Sequence, residues 1–136
     1  MNKSVGYIHI AFLLFASAGL LAQGAPGIND GYRNEGTPIE VWVDRFEVEG
    51  REVFDLRNEI VTVLNMAPGS AVADVGAGTG LFTPLLADAV GTSGKIYAVD
   101  IIPAFIEHID EKIQEHELTQ VETVLGTETS GITWVG

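Results

Sequence analysis

The stretch Asp74-Val75-Gly76-Ala77-Gly78-Thr79-Gly80 constrains this chain more than any other. It closes Ala71-Val72-Ala73-Asp74-Val75, a short and mostly apolar run of strand character. It opens residues 81–90, which read as a helix with Pro84 tolerable in the first turn. Three glycines at alternate positions permit a sharp turn and let a ligand approach within contact distance, because no Cβ intervenes. The amides of Gly78, Thr79 and Gly80 are expected to point from the helix N-terminus toward a carboxylate or phosphate.

The flanking pattern sets the architecture. Upstream, Val53, Leu56, Ile60, Val63 and Leu64 recur at helical spacing between Arg51 and Met66, and Pro68-Gly69 stops that helix. Residues 39–50 are mixed, with Trp42, Val43 and Phe46 as buried candidates. Downstream, Gly91-Thr92-Ser93-Gly94 is a loop and Lys95 to Val99 a second strand ending at Asp100. Ile102, Phe105, Ile106, Ile109 and Ile113 form the apolar stripe of a helix over 103–117, and Val121 to Leu125 reads as a third strand. Strands alternating with helices predict a parallel sheet with right-handed crossovers and helices on both faces. The glycine turn then lies at the carboxyl end of the first strand, where open α/β sheets bind ligands.

Asp100 falls at the end of the next strand, where a carboxylate can accept hydrogen bonds from both hydroxyls of a ribose. Glycine turn and strand-end acid together indicate an adenosine-containing cofactor. The dinucleotide fingerprint G-x-G-x-x-G needs a glycine where Leu81 stands, which disfavours a nicotinamide-dependent oxidoreductase. The segment Asp74 to Gly80, an acid followed by G-x-G-x-G, resembles instead the first motif of class I S-adenosylmethionine-dependent methyltransferases, and Asp100 matches their ribose acid. Gly80-Leu81-Phe82-Thr83, Gly94 to Asp100 and Arg45 to Val53 look like an exported bacterial branch of that family. The resemblance covers roughly residues 40–128. It implies a Rossmann-like three-layer αβα fold with S-adenosyl-L-methionine as cofactor. It also implies that Gly76, Ala77, Gly78, Thr79 and Gly80 hold the methionine part, that Asp74 orients the ammonium, that Asp100 binds the ribose and that Ile101 flanks the adenine.

The N-terminus reads differently. Residues 10–21 carry no charge, Lys3 precedes them, and Ala22 and Gly24 place small residues ahead of a cut before Ala25. This is the pattern of a secretory signal peptide, and the run is shorter than the ~20 apolar residues of a comfortable membrane span. The expected organisation is a signal peptide over 1–24, a linker or arm over 25–38, a partial methyltransferase domain over 39–128 and a divergent tail over 129–136. The expected location is periplasmic or secreted, with membrane attachment only if the leader stays uncleaved. Nineteen acids against seven Lys and Arg give a formal charge of −12, which argues against nucleic acid as a partner. Without cysteine there is no thiol nucleophile, disulfide or Cys-based zinc site.

The family core is a seven-stranded sheet, and the sequence offers candidates for only the first three strands. The expectation is therefore a domain cut short after the third strand, with 71–75 as a bare edge, a crevice lacking one wall and weak or absent cofactor binding by the chain alone. The acceptor and any catalytic residue stay unassigned, and the rival to an active methyltransferase is an inactive fragment or a binding-only protein. His108, Glu111, Glu115 and His116 are read as a solvated helix face rather than a metal site. Trp42 and Phe46 are read as packing residues.

Overall fold

The computed structural model describes residues 8–9, 31 and 36–127. The divergent tail over 129–136, and the proposed leader apart from residues 8 and 9, lie outside the described residues. Among the described residues no helix is long and apolar enough to cross a membrane.

Among the described residues nine elements follow in order: β1 (Ile8–His9), α1 (Ile39–Phe46), α2 (Glu52–Asp55), α3 (Arg57–Val63), β2 (Ala71–Val75), α4 (Thr83–Val90), β3 (Lys95–Asp100), α5 (Pro103–Glu115) and β4 (Val121–Leu125). All strands are parallel, in the spatial order β1-β2-β3-β4. The three predicted strands are all present, with Ala71 opposite Lys95 and Asp100 opposite Leu125. The edge expected to be bare is occupied over its first two residues, since Ile8 and His9 pair with Ala71 and Val72.

Side chains alternate across a strand, so Val72, Ile96, Ala98 and Val121 share one face. They pack with Leu86, Ala87 and Val90 of α4 and Ile109 of α5 into a single core, joined by Val61, Phe82 and Leu118. Both crossover helices thus cover the same face, forming two of the three layers of the expected architecture. The opposite face carries the Lys95–Glu122 ion pair, 3.0 Å long, beside Tyr97.

Two segments differ from the sequence reading. Residues 39–46 form α1, where the pattern was mixed. Its Trp42 is buried and packs edge-on to Phe105 of α5, with Phe46 beside both rings. The helix expected over 51–66 is broken at Leu56 into α2 and α3. The Arg57 guanidinium donates to the Phe54 carbonyl, an acceptor that a continuous helical ladder would use, while the Asp55 carboxylate accepts the Gly50 N–H just ahead of α2. The break changes the phase of the stripe. Val61 turns into the core, whereas Leu56 is exposed and Val63 is 82% exposed.

α5 ends as a tight cap. Glu117 takes a left-handed conformation at φ 52°, the Leu118 N–H reaches back to the Ile113 carbonyl at 3.0 Å, and Leu118 drops into the core. That closure aims the chain into β4, where Thr123 donates a 2.8 Å hydrogen bond to Asp110 of α5.

Candidate functional site

The carboxyl ends of β2 and β3 meet at the glycine turn. Gly76, Gly78 and Gly80 adopt φ of 75°, 57° and 73°, a region that L side chains enter only at a cost. The Gly76 and Ala77 amides both donate to the Val99 carbonyl, at 2.8 and 3.0 Å, which anchors the turn to β3. A Cβ on Gly76 would meet nothing within 4 Å, so the space above this glycine is open. At Gly80 the reason for glycine is different. A Cβ there would stand 2.9 Å from Ile109 Cγ1, so this position serves the close approach of α5.

Asp100 joins the two strand ends. Its Oδ2 accepts the Gly78 N–H at 2.8 Å, and its Oδ1 accepts the Ile102 N–H at 2.9 Å. One carboxylate therefore fixes both the turn and the entry to α5. Each carboxylate oxygen has two acceptor positions, so one on each is left for a ligand hydroxyl. The sequence placed Asp100 at the site but gave no sign of this double hold, which depends on the register of β2 against β3.

The amides expected to face a ligand are distributed differently. Gly78 donates to Asp100 and Gly80 donates to the Ala77 carbonyl at 2.9 Å. The tightness of the turn brings the Ala77 carbonyl within reach of Gly80, and the register of β2 against β3 brings Asp100 within reach of Gly78. Among the described residues the Thr79 amide has no such partner. Thr79 as a whole residue is 1% exposed, and its buried hydroxyl also lacks a hydrogen-bond partner.

Asp74 lies beneath the turn, 4% exposed, with the Thr83 hydroxyl 3.4 Å from its Oδ2. Burial pushes its pKa up to about 6; the Thr83 hydrogen bond opposes this and the nearby Asp100 charge adds to it. Ile101 is exposed just beyond β3, flanked by exposed Val75 at the end of β2 and Leu125 at the end of β4. The sequence reading had Leu125 only as the end of a strand and did not place it at the site. The signal was its place opposite Asp100, which requires the strand register.

The structure thus brings Asp74, the turn from Gly76 to Gly80, Asp100 and Ile101 together at one end of the sheet. His108, Glu111, Glu115 and His116 stand on α5. Among the described residues no three His, Asp or Glu side chains are grouped as metal ligands. Glu111, Glu115 and His116 are exposed, whereas His108 is half-buried.

A parallel sheet with a glycine turn after one strand and an acid ending the next is the Rossmann-like arrangement of class I methyltransferases. Comparison with known proteins agrees. The model of the protein-L-isoaspartate(D-aspartate) O-methyltransferase family matches residues 54–134, more than half of the chain, and the chain belongs to that family. The match runs into the segment set apart above as a divergent tail. A demethylmenaquinone methyltransferase of Bacillus mycoides is 37% identical over 70 residues, 52% of this chain and 30% of that protein. A protein-L-isoaspartate O-methyltransferase of Aeropyrum pernix is 36% identical over 74 residues, 54% of this chain and 28% of that protein. A crystal structure of a SAM-dependent methyltransferase from Aquifex aeolicus superimposes with a TM-score of 0.57 at 28% identity, covering 68% of this chain and 48% of that one. The chain thus spans about 30% of the length of these two relatives and about half of the solved structure.

Proposed function

We propose that this chain binds S-adenosylmethionine at the carboxyl ends of β2 and β3 and serves in methyl transfer. The observation that carries this reading is the Asp100 carboxylate. It ties the glycine turn to the start of α5 while keeping acceptor positions free beside the open space above Gly76. The residues fit the cofactor. The open space above Gly76 suits its methionine part and Asp74 its ammonium. Asp100 suits the ribose hydroxyls, and Ile101, with Leu125 alongside, offers apolar surface to the adenine. The bound cofactor supplies an electrophilic methyl group. The protein's part is to hold that group in line with an acceptor, so orientation outweighs acid–base chemistry. The matched relatives are named for two different acceptors, an isoaspartyl residue and demethylmenaquinone, and the acceptor here is left as an unidentified nucleophile.

Calorimetric titration of the full chain with S-adenosylmethionine, S-adenosylhomocysteine and NAD tests this reading. The two S-adenosyl compounds are expected to bind and NAD to fail. Asp100→Asn should weaken binding by about tenfold or more, the order expected for losing a charge-assisted hydrogen bond. Binding of NAD in preference to S-adenosylmethionine would refute the assignment.

We also propose that residues 1–24 direct export and are removed before Ala25, which takes β1 away with the leader and uncovers the edge of β2 at Ala71 and Val72. The leader pattern of Lys3, the uncharged run and the small residues at the cut supports this. Intact mass of the protein from an expressing bacterium would show a chain beginning at Ala25, and an intact leader would refute the cleavage.

A further inference from the structure

The one half-buried imidazole on α5 lies where α1 docks. Phe105, His108 and Lys112 stand three and four residues apart on α5, and so share one helical face. Two of them are contact points for α1. Phe105 meets Trp42 edge-on with ring centroids 6.2 Å apart, and Lys112 pairs with Glu47 at 2.8 Å, both partners more than four-fifths buried. His108 lies between these contacts. Its Nε2 is buried and, among the described residues, has no hydrogen-bond partner. A neutral imidazole tolerates this if the lone pair occupies the buried nitrogen. The imidazolium does not, because it carries a proton on both nitrogens and would aim one at surroundings with no acceptor.

We infer that His108 is a proton-operated latch for α1, holding the helix docked on α5 when neutral and releasing it when protonated. The charged groups facing the imidazole are Lys112 and Glu111 from α5, Glu40 from α1 and Glu47, the residue that caps the end of α1. The three glutamates favour the cation, and Lys112 opposes it. Desolvation is the largest influence and acts with Lys112, so the docked imidazole titrates below its ordinary range. The undocked form then binds more protons between the two titrations, and docking weakens as pH falls below about 6.5. The interface is small enough for this to matter, since Trp42 is the only fully buried residue of α1.

The test uses the full chain carrying Trp134→Phe, so that Trp42 alone reports. Its emission should shift to the red between pH 7.5 and 5, above the range of ordinary glutamates. The same chain with His108→Gln should keep the high-pH spectrum over that interval, while Asp74→Asn should follow the parent curve. A red shift with unchanged midpoint in His108→Gln, its disappearance in Asp74→Asn, or no shift in the parent would each overturn the latch. Should His108→Gln fold poorly, imidazole proton resonances of the parent decide independently. A His108 midpoint below 6.5, shared by the α1 amides, supports the latch, and a midpoint at or above 6.5, or α1 amides unmoved by its titration, overturns it.

Discussion

Asp74 is held where its charge is costly, and the cost can be read by titration. Its folded pKa near 6 stands above the ordinary 3.8, so the folded chain binds the extra proton between those values. The group's stabilising contribution is complete below pH 3.8 and is lost as pH rises through 6, by about 3 kcal/mol. Asp74→Asn escapes this loss. Urea denaturation should show the variant more stable than the parent by up to about 3 kcal/mol at pH 8 and equal to it at pH 4. If Asp74 receives the cofactor ammonium, the same variant should bind S-adenosylmethionine less well, so stability and binding move in opposite directions. The glycines of the turn separate in a similar way. Gly80→Ala brings a Cβ to 2.9 Å from Ile109 in addition to backbone strain, whereas Gly76→Ala adds strain of about 1–2 kcal/mol alone. Thermal unfolding should rank Gly80→Ala as the more damaging. Cofactor titration should rank Gly76→Ala as the more damaging, because its Cβ enters the open space.

At the scale of elements, α1 is the part most separable from the sheet. Trp42→Ala should cost about 3 kcal/mol of docking energy, in the range for removing a large aromatic side chain. Hydrogen exchange should then show α1 amides losing protection while β2 and β3 keep theirs; equal loss in all three would mean that α1 is integral to the core. This helix was the least legible element in the sequence. Ile39, Val41 and Val43 alternate at strand spacing and obscure the Trp42–Phe46 pair, whose separation of four residues is the helical signal. The break at Leu56 was hidden for another reason, since the Asp55 carboxylate turning back to Gly50 leaves no trace in an apolar pattern. The strands β2, β3 and β4 were legible because each is a short, largely apolar run bounded by turn residues, whereas the two residues of β1 fall in the stretch read as a leader. At the site, the positions of Asp74, the glycines and Asp100 followed from motif and order. The hold of Asp100 on Gly78 did not, because it depends on how β2 and β3 are registered.

For the molecule as a whole, the sheet among the described residues is open-edged beyond Val72 on one side and its strands all run the same way. Their carboxyl ends therefore gather the groups proposed to touch the cofactor into one region. The strands β2, β3 and β4 also lie side by side in the order in which they occur along the chain. Each crossover closes a short loop, so successive pairings carry little entropic cost. Asp74, the glycine turn and both amides gripped by Asp100 belong to one unbroken stretch ending at Ile102. During synthesis, every residue needed to tie the turn to Asp100 is present before α5 and β4 have been made. The order of synthesis thus places the residues of the ligand-facing corner of the sheet ahead of those of the elements that support it.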